Sequence, residues 1–132
     1  MRFMMLVRST KESEAGVVPA KDVFTAMARY NEDLAKAGVL LAVEGLHPSS
    51  KGARVKFSGS KHTVVDGPFT ETKELIAGFW LIEVKSREEA IEWVKRCPAP
   101  FQGEAEIELR QVFGMDDYAE QIPTEPSAPS RT

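Results

Sequence analysis

Leu75-Ile76-Ala77-Gly78-Phe79-Trp80-Leu81-Ile82-Glu83-Val84 decides the fold, because it reads as a strand with neither side given to water. Side chains alternate across a strand; here Gly78, Trp80, Ile82 and Val84 fall on one parity and Phe79, Leu81 and Glu83 on the other. A strand apolar on both parities belongs at the centre of a sheet that is covered on both faces. Phe3-Met4-Met5-Leu6-Val7 has the same two-sided character and reads as a second central strand.

Between these strands, Pro19 opens a helix over residues 20–37. Val23, Met27, Tyr30, Leu34 and Ala37 form its single apolar stripe, and Gly38 stands where it stops. Residues 39–44 form the next strand, ending in Gly45-Leu46-His47-Pro48. The runs 53–57 and 61–65, separated by Ser58-Gly59-Ser60, have hairpin spacing. Beyond the decisive strand, Ser86-Arg87-Glu88-Glu89 is a capping-box pattern. It opens a helix that turns Ala90, Trp93, Val94 and Cys97 inward and is stopped by Pro98. The last strand, 105–113, puts Ile107, Leu109 and Phe113 on one side and Glu106, Glu108 and Arg110 on the other.

This order is an α+β fold, a ferredoxin-like split βαβ arrangement with an inserted β-hairpin. Two helices cover one sheet face, so the other must be covered by a second copy, giving a homodimer joined through its sheet faces. Leaving four such apolar side chains wet would forfeit about 1.5–3 kcal/mol each. That sum is comparable to the stability of a whole domain.

A chain of 132 residues, 42% hydrophobic and 28% charged, is sized for one ordinary domain, residues 1–118, with a flexible Pro/Ser/Thr-rich tail at 119–132. A net charge of −3 with dispersed Lys and Arg offers no footprint for nucleic acid or an anionic membrane surface. No apolar run reaches the roughly 18–20 residues that a membrane span needs. The single cysteine, Cys97, and the lack of a signal-like start point to a cytoplasmic location. Cys97 itself reads as a packing residue at a helix end.

Asp66-Gly67-Pro68 is strong turn chemistry: Asp bonds the backbone beyond it, Gly accepts positive φ, and Pro fixes its own φ. Asp66-Gly67-Pro68-Phe69 with Glu71-Thr72-Lys73-Glu74 resembles the DGPF branch of the YCII-related family. Glu44-Gly45-Leu46-His47-Pro48, Gly78-Phe79 and Glu108-Leu109-Arg110 extend the likeness over most of residues 1–115. The resemblance implies a dimeric α+β barrel of ferredoxin-like protomers, and a branch whose biochemical activity is mostly unassigned.

The candidate site residues each carry two readings. Asp66 is either a turn former or a carboxylate aimed into a cavity between the sheets, where partial burial would make it a general base. His47, fixed between the Glu44-Gly45 bend and Pro48, is either a loop residue or an acid or base that meets Asp66 across the fold. Lys73 either buttresses the motif by pairing with Glu44 or Glu71, or supports an anionic oxygen together with Arg110, beside Glu74 and Glu44. Glu83 is a further candidate, and Glu108 and Arg110 are alternatively a surface pair. His62 reads as an exposed hairpin residue. Two histidines in separate segments, with no Cys partner, form no metal site, and no cofactor is expected.

Two functions remain open. One is a small-molecule-binding or regulatory dimer, with the tail contacting a protein partner; some DGPF proteins resemble partners of alternative sigma factors. The other, which the wider family suggests, is a cofactor-free proton-transfer enzyme of the isomerase, lyase or dehydrochlorinase kind. It would act on a polar or aromatic metabolite, with Asp66 and His47 catalytic.

Overall fold

The computed structural model describes residues 1–101, 103–118 and 120. The expected flexible tail and its protein contact therefore lie, apart from residue 120, outside the described residues. Six strands and three α-helices follow in the order β1 (Arg2–Arg8), α1 (Lys11–Glu14), α2 (Lys21–Lys36), β2 (Leu40–Gly45), β3 (Ala53–Ser58), β4 (Lys61–Asp66), β5 (Ile76–Glu83), α3 (Arg87–Arg96) and β6 (Ile107–Gln111). The main sheet has the order β2-β5-β1-β6 with every neighbouring pair antiparallel, and β3 and β4 form a separate two-stranded sheet. The two strands apolar on both parities, β1 and β5, are the central pair.

The core lies on one face of this sheet. Phe3, Met5 and Val7 of β1 and Trp80 and Ile82 of β5 are buried against Tyr30 and Leu34 of α2 and Ala90 of α3. The 3.6-residue period of the α2 stripe is what lets Met27, Tyr30 and Leu34 reach that face together. The opposite face carries Met4 and Leu6, paired with Leu81 and Phe79 of β5 and with Arg110 and Glu108 of β6. Paired residues share a side, and these four apolar side chains are only half-buried.

One local element is new and two local expectations needed correction. Residues 9–16 contain a one-turn helix, α1, closed by a capping box in which Thr10 and Ser13 exchange backbone-to-side-chain bonds of 3.1 and 2.8 Å. At α3, Ser86 Oγ accepts from the Glu89 N–H at 3.1 Å, but the Glu89 carboxylate reaches back to the Lys85 N–H, one residue before the cap, so the box is not reciprocal. The last strand is shorter than 105–113, pairing only over Ile107–Gln111. No helix among the described residues is long and apolar enough to cross a membrane.

Candidate functional site

Asp66 ends β4 opposite Ala53, and the next peptide, Gly67–Pro68, is cis. Gly67 is not among the glycines with positive φ, which corrects the expected reason for a glycine here. The reason is space: a Cβ on Gly67 would stand 1.8 Å from the Ser49 carbonyl oxygen. The turn is pressed onto the loop after β2 and pinned there by two bonds, with two more tying the loop to α1. Gly67 N–H donates to the Gly52 carbonyl at 2.9 Å. Phe69 N–H donates to Ser49 Oγ at 2.9 Å. Ser49 in turn donates from both its N–H, at 2.9 Å, and its hydroxyl to the Glu14 carboxylate of α1. The Arg54 guanidinium lies 3.8 Å over the Phe69 ring, a cation–π contact that closes the other side of the turn. The motif is thus held as firmly as its turn chemistry implied, with Ser49 as the shared anchor.

The loop so anchored forms one wall of a cavity of about 590 Å³. The cavity lies between the sheet and the N-terminal half of α2, under the segment that joins α1 to α2. Its walls are mostly apolar, supplied by Val7, Val23, Phe24, Met27, Val43, Trp80 and Phe101, and its polar members include Asn31, Glu44 and His47. Gly78 lets β2 close against β5 at this wall, since a Cβ there would meet the Glu44 carbonyl oxygen at 2.8 Å. The Trp80 indole N–H donates to Asn31 Oδ1 at 2.7 Å, and the Trp80 ring meets Tyr30 edge-on at 5.6 Å. Both contacts fix the aromatic floor of the cavity.

Of the residues expected at a site, the structure gathers Glu44 and His47 on this cavity, while Asp66, Lys73, Glu74 and Arg110 lie outside its lining. Among the described residues no hydrogen bond joins His47 to Asp66, whose place is on the exposed end of the hairpin. Lys73 and Glu74 sit on an exposed one-turn segment, Thr72–Glu74, and among the described residues Lys73 forms no ion pair with Glu44 or Glu71. Arg110 pairs with Glu108 at 3.1 Å, and Glu108 with Arg8 at 3.5 Å. Glu83 is exposed at the end of β5. His62 is an exposed hairpin residue packed edge-on against Phe57 at 4.8 Å. Among the described residues no three His, Cys, Asp or Glu side chains converge as a metal set would.

Sequence reasoning missed Glu14, Ser49 and Asn31. Asn31 had a legible signal, since it lies four residues after Met27 and three before Leu34, a polar side chain on the apolar stripe. Beyond the cavity, burial raises two ionisations. The Tyr30 hydroxyl, which donates to the Trp93 carbonyl oxygen at 2.5 Å, is held neutral far above the ordinary phenol range, by burial first and by nearby Cys97 second. Burial pushes the Cys97 thiol up to about 12.

An antiparallel sheet with both long helices on one face, a hairpin set apart from it and a cavity beneath the first long helix define the class: a mixed α+β domain organised around a pinned Asp-Gly-Pro-Phe turn. The YCII-related domain matches residues 1–115, and the chain belongs to the YCII-related family. An uncharacterized protein of Rhizobium meliloti (strain 1021) is 35% identical over 86 residues, which are 65% of this chain and 64% of that relative, so the match spans just under two thirds of the relative's length. Among solved structures, the 5-chloro-2-hydroxyhydroquinone dehydrochlorinase TftG from Burkholderia phenoliruptrix AC1100, in complex with 2,5-dihydroxybenzoquinone, is 17% identical with a TM-score of 0.45, covering 88% of this chain and 98% of that one.

Proposed function

We propose that this protein binds a small, mainly apolar ring compound in the cavity beneath α2, within a homodimer of ferredoxin-like protomers packed sheet to sheet. The observation that carries the binding reading is the cavity itself: about 590 Å³, apolar walls and a few polar groups at one side, the usual character of a small-molecule site. The pairing is supported by the sheet face bearing Met4, Leu6, Phe79 and Leu81, whose half-burial leaves apolar area for a second copy to remove from water. Equilibrium dialysis with 2-acetylnaphthalene tests the binding. Wild type should retain the probe, and Met27→Trp and Val23→Trp, which fill the cavity from α2, should each lose affinity at least tenfold with circular dichroism unchanged. Equal retention by the filled variants would sink this reading.

A second reading, proton transfer on the bound molecule, is favoured by one observation: Glu44 and His47 line the same cavity. A methyl ketone in deuterated buffer should then exchange its α-protons faster with wild type than with His47→Gln. Exchange at the rate of buffer alone would remove that role.

A further inference from the structure

We infer that Asn31 is a specificity-determining residue of the cavity, selecting ring compounds that bear an oxygen acceptor, such as a ketone, quinone or phenolate. The inference rests on the binding reading above and adds the ligand's chemistry to it. An indole N–H is a donor only, so the amide atom 2.7 Å from Trp80 Nε1 has to be the carbonyl oxygen of Asn31. That bond settles which way the amide faces and takes up one lone pair of its oxygen. What Asn31 chiefly keeps for a ligand is its Nδ2 group, a pair of donors.

Among the described residues Nδ2 has no hydrogen-bond partner, and the one buried side-chain polar atom left without a partner is Ser9 Oγ. Nδ2 is therefore not sealed in the core but open to accessible space, on a side chain that lines the cavity. The nearest companions of Asn31 along α2 are apolar: Met27 one turn before and Leu34 one turn after. A donor fixed by Trp80 in such a wall would favour an oxygen acceptor on an otherwise apolar ring, and gain nothing from a hydrocarbon of the same shape.

The test compares 2-acetylnaphthalene with 2-isopropenylnaphthalene, which replaces C=O by C=CH₂ at nearly constant shape. By equilibrium dialysis, wild type should hold the ketone roughly five- to tenfold more tightly, the range of one neutral hydrogen bond. Asn31→Asp keeps an acceptor for Trp80 but turns the donor into an oxygen, and it should erase or invert the preference. The Asn31 side-chain amide resonances should move on adding ketone and not on adding alkene. Equal affinity of wild type for both probes, or an unchanged ratio in Asn31→Asp, overturns this inference and leaves the cavity reading standing. Failure of both probes to bind overturns the two together.

Discussion

Gly67 has a backbone geometry open to other residues and yet admits no side chain, because its Cα faces the Ser49 carbonyl at a distance that excludes even a methyl group. Gly67→Ala should therefore act as an overpacking change, forcing the turn off its loop at a cost of about 1–3 kcal/mol. A urea titration reads this as a lower midpoint at unchanged slope; an unaltered midpoint would show that the loop yields freely. Cys97 gives a second prediction. Its thiol is pushed from the ordinary 9.0 to about 12 by burial, so above pH 9 the unfolded chain has lost a proton that the folded chain still holds. Stability falls with rising pH wherever the unfolded state binds fewer protons. The contribution is complete below about 9 and drains away between there and about 12, and Cys97→Ala should flatten that part of the profile measured by chemical denaturation. The same shift predicts slow alkylation of the folded protein by iodoacetamide at neutral pH, read by mass spectrometry. The turn residues announced themselves in the sequence, but the demand on Gly67 did not, since Ser49 is a partner across space rather than along the chain.

At the scale of elements, what periodicity encodes was legible and what contact encodes was not. The α2 stripe and the central positions of β1 and β5 follow from side-chain spacing alone, whereas the hairpin turns more tightly than the expected 58–60 connection, with Ser58 paired to Lys61 around Gly59-Ser60. The one-turn helix α1 has no stripe, and a four-residue segment in a polar connection gives periodicity nothing to work on. Its contribution, the Glu14 carboxylate, is a long-range bond to Ser49. Asp66 and Lys73 lie outside the cavity lining, and the bonds of their turn go to the loop between β2 and β3. Ser49→Ala, which removes the acceptor for Phe69 N–H and a donor to Glu14, should cost about 1–3 kcal/mol and loosen the wall that carries His47. Faster amide exchange at Phe69 and at Leu46, whose N–H donates to the Ala77 carbonyl, is the corresponding signal. The hairpin behaves differently: Phe57 is 75% exposed and Val64 64% exposed. Phe57→Ser should accordingly shift stability by no more than about 0.5 kcal/mol.

For the molecule as a whole, the sheet offers one face to its helices and the other to a second chain, in the reading proposed above. Light scattering at micromolar concentration should give a mass of two subunits for wild type and one for Leu6→Lys, which sets a charge in the middle of the half-buried patch. A single-subunit mass for wild type would overturn the pairing while leaving the cavity reading standing, since Val7, Met27, Val43 and Trp80 wall that cavity from the helix side, although Phe79 belongs both to its lining and to the patch. Salt should matter little to the assembly, because the Arg8–Glu108–Arg110 pairs of this face are partly exposed and weak.

Trp80 carries a last consequence. It is one of two tryptophans, and it lies buried at the cavity with its indole bonded to Asn31, whereas Trp93 sits on α3 beneath the Arg96 guanidinium at 4.8 Å. In a Trp93→Phe background the chain would keep a single tryptophan, placed against whatever enters. Occupancy would then report itself as a change of colour or brightness, making this variant, without any attached dye, its own indicator for screening compound collections.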